Sequence, residues 1–401
     1  MARTLRRVDR QADLNFDEWL AAPAAQRTEN GLTRRLSDAD RGAPMVDLAG
    51  NDYLGLRRHP AVVAAAADAA HRFGVGAGAS RLVTGTLSVH SDLEDELAEF
   101  VGFPTALVFS TGYHANLSAV AALADRDTLI VSDAHVHASL IDACRLSRAT
   151  VHVVRHNALD EMQAALAARE QCRALVLVET IYSVLGDRAP LLELARMCAA
   201  HNAVLVADEA HALGVCGPGG RGLLNAAGLA GRADVVATVT LSKSLGAQGG
   251  AVLSSGPVRD HLVNTARPFI FDTGLAPPSA GGALAAVRLM QAEPERIRRL
   301  SSHAAALASA LGVPAPEGSV LSVPMTSPAA ALEAVAIAAS RGIRVGCFRP
   351  PSTPDGSSRL RVTAHADHTE EELARGISVL DDVAHLRLRA PLSRRFARSQ
   401  H

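Results

Sequence analysis

Between Val46 and Ser255 the chain alternates short apolar runs rich in Val, Ile and Leu with longer Ala/Leu segments of helical period. The runs TALVF (105–109), TLIVS (128–132), VHVV (151–154), ALVLV (174–178), AVLVA (203–207), VVATVT (235–240) and AVLSS (251–255) predict strands, and segments such as HANLSAVAALA and PLLELARMCAA predict helices between them. Near-continuous apolar strands separated by helices describe an α/β fold with a mostly parallel seven-stranded sheet covered on both faces. One link differs. Thr240 to Ala251 is too short for a helical crossover, so the last strand is expected to return antiparallel beside its predecessor.

Beyond Gly281 the rhythm changes to an Ala-rich helix, LSVPM, a second helix around ALEAVAIAASRG, the Pro-rich CFRPPSTPDGSSRLRVT and HTEEELARGISVL. The expected organisation is an N-terminal arm (1–45), a large domain (46–280), a smaller α+β domain (281–385) and a basic, flexible tail (386–401). No repeat or low-complexity tract interrupts it.

Composition narrows the class. A chain of 401 residues with 48% hydrophobic and 20% charged residues is that of an ordinary globular protein. A net charge of -1 argues against nucleic acid or a membrane surface as partner. The arginine clusters at both ends read as solvated termini. Five cysteines without a CxxC pair suggest reduced thiols. The absence of a long apolar run and the acidic N-terminus point to a cytoplasmic protein.

Lys243, in TLSKSLGAQGG, is the sole lysine among 40 basic side chains; every other is arginine. Arginine stays protonated, whereas a lysine amine can lose its proton and attack a carbonyl. A Schiff-base lysine is therefore indicated, and with it pyridoxal 5'-phosphate, which needs a carboxylate for its pyridinium nitrogen, a stacking partner and a phosphate cradle. Suitable residues follow the strand ends: Thr111-Gly112-Tyr113, His137, Ser183, Asp208 with His211, and Lys243 itself. That is the edge where open α/β sheets bind ligands. Asp208 could supply the carboxylate or simply cap a turn, and STGYHAN could be an anion site or an ordinary strand-to-helix turn.

Two competing readings are weaker. His135 and His137 would share a strand face, but no third metal ligand stands at matching spacing, and stacking on an aromatic cofactor suits a histidine here as well. GPGGRG (217–222) matches the G-x-G-x-x-G fingerprint of nicotinamide oxidoreductases, yet DEAHALGVC separates it from the preceding strand.

Taken together, NDYLGL, GAGASRLVTGT, HSDLEDELAEF, STGYHAN, HASLIDACRLSRA, ETIYSVLGDRAPL, DEAHALGVCGPGGRG, TLSKSLGAQGG and RPPSTPDGSSRLRVT resemble the α-oxoamine synthase family of pyridoxal phosphate enzymes, in order from about residue 30 to 380. The resemblance implies the aspartate aminotransferase-like fold and a cytoplasmic homodimer. RPPSTPDGSSRLR most resembles the branch that joins L-alanine to a pimeloyl thioester, carried by coenzyme A or acyl carrier protein, in biotin synthesis. Sister branches use glycine or serine.

By the same resemblance, Lys243 carries the cofactor, Thr240 lies near its phosphate, and Thr111, Gly112 and Tyr113 cradle it. His137 stacks on the ring, Asp208 pairs with the pyridinium, and His211 and Ser183 bond its phenolic oxygen. Asn51 and Arg361 hold the amino-acid carboxylate, Thr363 and Arg34 touch substrate, and Thr273 reaches the phosphate in the neighbouring subunit. Asp272 departs from the family pattern, since a small hydroxyl residue often stands there. A carboxylate turned toward a phosphate would repel it.

Overall fold

The computed structural model describes residues 15–34, 36, 38, 44–350, 353 and 355–384. The tail 386–401 and the arginines at positions 3, 6 and 7 lie outside them, as does much of the arm.

Among the described residues, eleven strands form two sheets: β1 (Val46–Leu48), β2 (Thr105–Phe109), β3 (Thr128–Asp133), β4 (Thr150–Val154), β5 (Arg173–Glu179), β6 (Val204–Asp208), β7 (Val235–Thr240), β8 (Gly250–Ser254), β9 (Val320–Met325), β10 (Ile343–Phe348) and β11 (Ser358–Thr363). The larger sheet has the order β2-β8-β7-β6-β5-β3-β4. Its parallel pairs run from β4 to β7, and β8 pairs antiparallel with both β7 and β2. All seven expected strands are present, the last of them reversed beside β7.

Alternation along each strand explains why these runs read as uniformly apolar. Val176, Val178, Leu205 and Ala237 enter the core on one face of the sheet, and Leu175, Leu177, Val206 and Val236 enter that on the other. Both faces are covered, so successive side chains must be apolar whichever way they point.

The second sheet has the order β1-β10-β11-β9. Its last three strands come from the C-terminal region, but β1 joins them by pairing parallel with β10, Val46 opposite Ile343. This long-range pairing brings the NDYLGL segment that follows β1 to the boundary between the two sheets. There Ala366 donates its N–H to the Tyr53 carbonyl at 2.7 Å.

Candidate active site

Register sets the floor of the site. Glu179 ends β5 opposite Asp208 of β6, and Asp208 stands opposite Thr238 of β7. Three polar side chains thus line up at the carboxyl edge of a sheet whose interior is apolar. Asp208 and Thr238 are tied together by Asn116, on the helix Gly112–Leu123: its Nδ2 donates to Asp208 Oδ2 (2.7 Å) and Ser139 Oγ (2.9 Å), and its Oδ1 accepts from Thr238 Oγ1 (2.6 Å). The Ala210 N–H donates to the other Asp208 oxygen at 2.8 Å. Held on both oxygens, the Asp208 carboxylate has a fixed orientation.

These residues surround a cavity of about 270 Å³, whose wall also includes Thr111, Gly112, Tyr113, His137, Thr240, Ser242 and Lys243. Lys243 follows β7 on a short loop. Burial pushes its amine down from the usual 10.5 to about 8, against the opposing pull of Asp208 and Glu179. Its Nζ lies 2.8 Å from His211 Nε2, and His211 Nδ1 lies 2.8 Å from the Tyr53 hydroxyl. Burial first, and then the charges of Lys243 and Arg361, drive the His211 pKa well below the usual value. A neutral imidazole can accept from lysine on one side and donate to tyrosine on the other.

Opposite Lys243 is the start of the helix Gly112–Leu123. Thr111 caps it by accepting the His114 N–H at 3.0 Å, which leaves the N–H groups of Gly112 and Tyr113 at the cavity without intrahelical partners. A Cβ on Gly112 would stand 3.0 Å from both Cβ and Oγ1 of Thr240, so only glycine lets helix and strand approach this closely. The Thr240 hydroxyl is 2.8 Å from that of Ser242. Backbone donors and two hydroxyls therefore face one point, a setting suited to a phosphate. The buried Glu179 Oε1 has no side-chain or backbone partner. It leaves a polar atom at the cavity wall for a bound group to satisfy. A lysine poised to lose its proton, a fixed carboxylate, an anion cradle and an unpaired polar atom together fit pyridoxal phosphate.

A second, more open space of about 570 Å³ adjoins the first at His137, His211 and Lys243, and extends to Asn51, Ser183, Phe348 and Arg361. Arg361, on β11, donates Nε to the Ser183 carbonyl (3.2 Å) and Nη2 to Asn51 Oδ1 (3.0 Å) and Tyr53 Oη (3.3 Å). Tyr53 also donates to Asn51 Oδ1 at 3.0 Å. A buried guanidinium held on neutral groups keeps its full charge available to an anionic ligand.

Most residues singled out in the sequence meet at these two cavities. Tyr113 borders the first while its hydroxyl bonds Asp142. His137 caps its helix, its Nδ1 2.7 Å from Ser139 Oγ, with the ring on both cavity walls. Ser183 contributes a carbonyl to Arg361 and an N–H to Glu179 Oε2 (3.0 Å).

Three others stand apart. Thr363 is fully buried beside His365, 3.2 Å from its Nε2, and borders neither cavity. Arg34 is exposed beside a different hollow, which shares only Phe348 with the second cavity. Thr273 is exposed next to a backbone bridge to Ser80, outside this protomer's cavities. Asp272 turns its carboxylate to Ser110 and His114 of its own chain, the latter at 3.4 Å.

Sequence reading missed Glu179, Asn116 and Tyr53. Glu179 is recoverable from its place at the end of an apolar strand, like Asp208; burial and the Asp208 charge hold its carboxyl well above the usual range. Asn116 and Tyr53 carry no such mark, because their roles arise from long-range contacts. His135 pairs not with His137 but with His156, ring on ring at 4.0 Å. The glycine run 217–222 wraps a buried acid instead of a nucleotide: Glu209 Oε1 accepts the N–H groups of Leu223 (2.7 Å) and Leu224 (3.0 Å), and a Cβ on Gly222 would strike its carboxylate at 2.2 Å.

Residues 43–380 match the family described as aminotransferase class I and II. Among curated proteins, the chain is 52% identical over 374 residues to an 8-amino-7-oxononanoate synthase of Mycolicibacterium smegmatis, covering 93% of this chain and 98% of that one. It is 52% identical to the Mycobacterium tuberculosis protein of the same description, covering 91% and 95%. Among solved structures, a Sphingomonas wittichii serine palmitoyltransferase superposes with a TM-score of 0.85 at 30% identity over 92% of this chain and 97% of that one. An 8-amino-7-oxononanoate synthase from Francisella tularensis shares the fold at a TM-score of 0.72, with 24% identity over 84% and 97%.

Proposed function

The chain belongs to the aminotransferase class I and II family and, within it, to the α-oxoamine synthases, and from that premise we propose that it condenses L-alanine with a pimeloyl thioester. The products are 8-amino-7-oxononanoate, carbon dioxide and the free thiol of coenzyme A or acyl carrier protein, a step toward biotin. The names of the mycobacterial relatives, at 52% identity over nearly the whole chain, support this choice of substrates. The observation that carries the chemistry is the sole lysine, half-buried at the carboxyl edge of the sheet, 2.8 Å from His211 and in the same cavity as the fixed Asp208.

Pyridoxal 5'-phosphate, when bound, supplies an aldehyde that condenses with amines and a ring that accepts the electron pair freed at the amino acid's α-carbon. The residues then divide the work. Gly112 and Tyr113 N–H groups with the Thr240 and Ser242 hydroxyls hold the phosphate. Asp208, fixed by Asn116, keeps the ring nitrogen protonated, and His137 covers the ring. Arg361 and Asn51 hold the alanine carboxylate. Lys243, with an amine pushed toward neutrality, takes the α-proton, and His211 accepts a hydrogen bond from it without competing for charge. Thr273 serves the phosphate of a second protomer in a homodimer, and Asp272 accepts a hydrogen bond from Ser110 of its own chain.

Borohydride reduction of the pure yellow protein, followed by peptide mapping, tests the assignment. The label is expected on the peptide containing Lys243, and Lys243→Arg should abolish both label and product formation. A Lys243→Arg variant that turns over at the original rate sinks it.

A further inference from the structure

Away from the cavities, β11 runs out into the turn Ala364-His365-Ala366-Asp367-His368, which packs against the segment after β1. His365, Asp367 and His368 each offer a ligand atom, and these atoms all lie within 4.8 Å of one another. The two rings stack at 5.1 Å. His365 is buried, His368 partly so, and Asp367 is exposed, its side chain lying against Gly55.

The proton positions suit a metal. His365 Nε2 lies 3.2 Å from both the Gly50 carbonyl and the Thr363 hydroxyl; with Nε2 donating to the carbonyl, which can only accept, Nδ1 keeps its lone pair. Metal-binding histidines typically donate their other N–H to a carbonyl or carboxylate in this way. Nδ1 of His368 is buried with no hydrogen-bond partner, an arrangement that costs free energy unless something satisfies it. Carboxylates gather nearby as well: Asp47 and Asp367 both act electrostatically on His365 and His368.

We propose that His365, Asp367 and His368 bind a divalent transition cation, Zn²⁺ or its neighbours Co²⁺ and Ni²⁺. Two imidazoles and one carboxylate make a borderline-soft donor set suited to these ions rather than to Mg²⁺ or Ca²⁺. Bond lengths of about 2.0–2.2 Å require tetrahedral donors to stand about 3.4 Å apart. The ligands must therefore draw in by roughly an ångström on binding, by rotation of the exposed Asp367 and the partly buried His368 side chains. Bound there, the ion would tie the end of β11, which carries Arg361, to the Gly50 carbonyl beside Asn51.

The test uses the untagged, full-length holoenzyme, stripped with chelator and titrated with Co²⁺. The expected result is one Co²⁺ per chain with a visible ligand-field spectrum, displaced by Zn²⁺, and a thermal midpoint that rises with Zn²⁺. Asp367→Asn should weaken binding about tenfold or more and remove the thermal shift. His368→Gln should do the same, and Asp367→Asn, at an exposed position, decides the matter if that variant folds poorly. No saturable binding, or binding that Asp367→Asn leaves unchanged, overturns the proposal.

Discussion

The two sheets serve the Lys243 cavity in different ways. Glu179, Asp208 and Thr238 come from adjacent strands of the larger sheet, and ladder hydrogen bonds fix their spacing. Arg361 comes from the smaller sheet, Asn51 and Tyr53 from the loop after β1, and side-chain bonds alone join them to Ser183 and His211. The first set is as stiff as the sheet that carries it, which suits groups that must stay aligned with one cofactor. The second is an assembly across a boundary, which suits groups that meet an arriving amino acid.

The largest expected effect strikes the stiff set. Asp208→Asn keeps a hydrogen-bonding side chain beside Asn116 but removes the charge that maintains the electron sink. Exchange of the alanine α-proton with deuterated water should fall by about a hundredfold or more, with cofactor still bound. Exchange at the normal rate would show that Asp208 only caps the turn.

A smaller effect is expected at the boundary. Arg361→Lys preserves charge but cannot span the Ser183 carbonyl, Asn51 and a carboxylate together. KM for alanine should rise about ten- to a hundredfold, with a lesser change in kcat. The reverse pattern in steady-state kinetics would move Arg361 from binding to chemistry.

The smallest effect concerns the far edge of the larger sheet, where His156 lies between Asp133 (3.0 Å) and Asp187 (2.8 Å). Burial opposes its charge, but hydrogen bonds to and charges on the two carboxylates outweigh that and raise it from 6.5 to about 9. A raised folded-state value means the stabilisation is complete below about pH 6.5 and disappears as pH rises through about 9. The thermal midpoint of the wild-type protein should therefore exceed that of His156→Gln by roughly 2 °C or more at pH 6, and the gap should close by pH 10. A gap that does not change with pH would mean packing alone, with no contribution from charge.

The same contrast explains what was legible in the sequence. The apolar strands declared themselves because both faces of the sheet are buried, and polar residues at their ends therefore stood out: Asp208 and His211 after β6, Lys243 after β7. Glu179 is legible by the same rule, as the polar end of an otherwise apolar β5 opposite Asp208. Arg361 looked like one charge on a strand, and only family resemblance singled it out. Asn51, Tyr53 and Asn116 act through partners more than ninety positions away, and no local pattern encodes such contacts. The pairing of β1 with β10 was hidden for the same reason, since three residues of strand have no periodicity to read.

That pairing also orders events during synthesis. Val46 emerges from the ribosome early, yet its strand partner Ile343 follows only when most of the chain has been made. All seven strands of the larger sheet are complete by Ser254, so the lysine and its carboxylate can be in place while Asn51 still waits for Arg361. The nascent chain should thus acquire a place for its cofactor well before it can grip an amino acid.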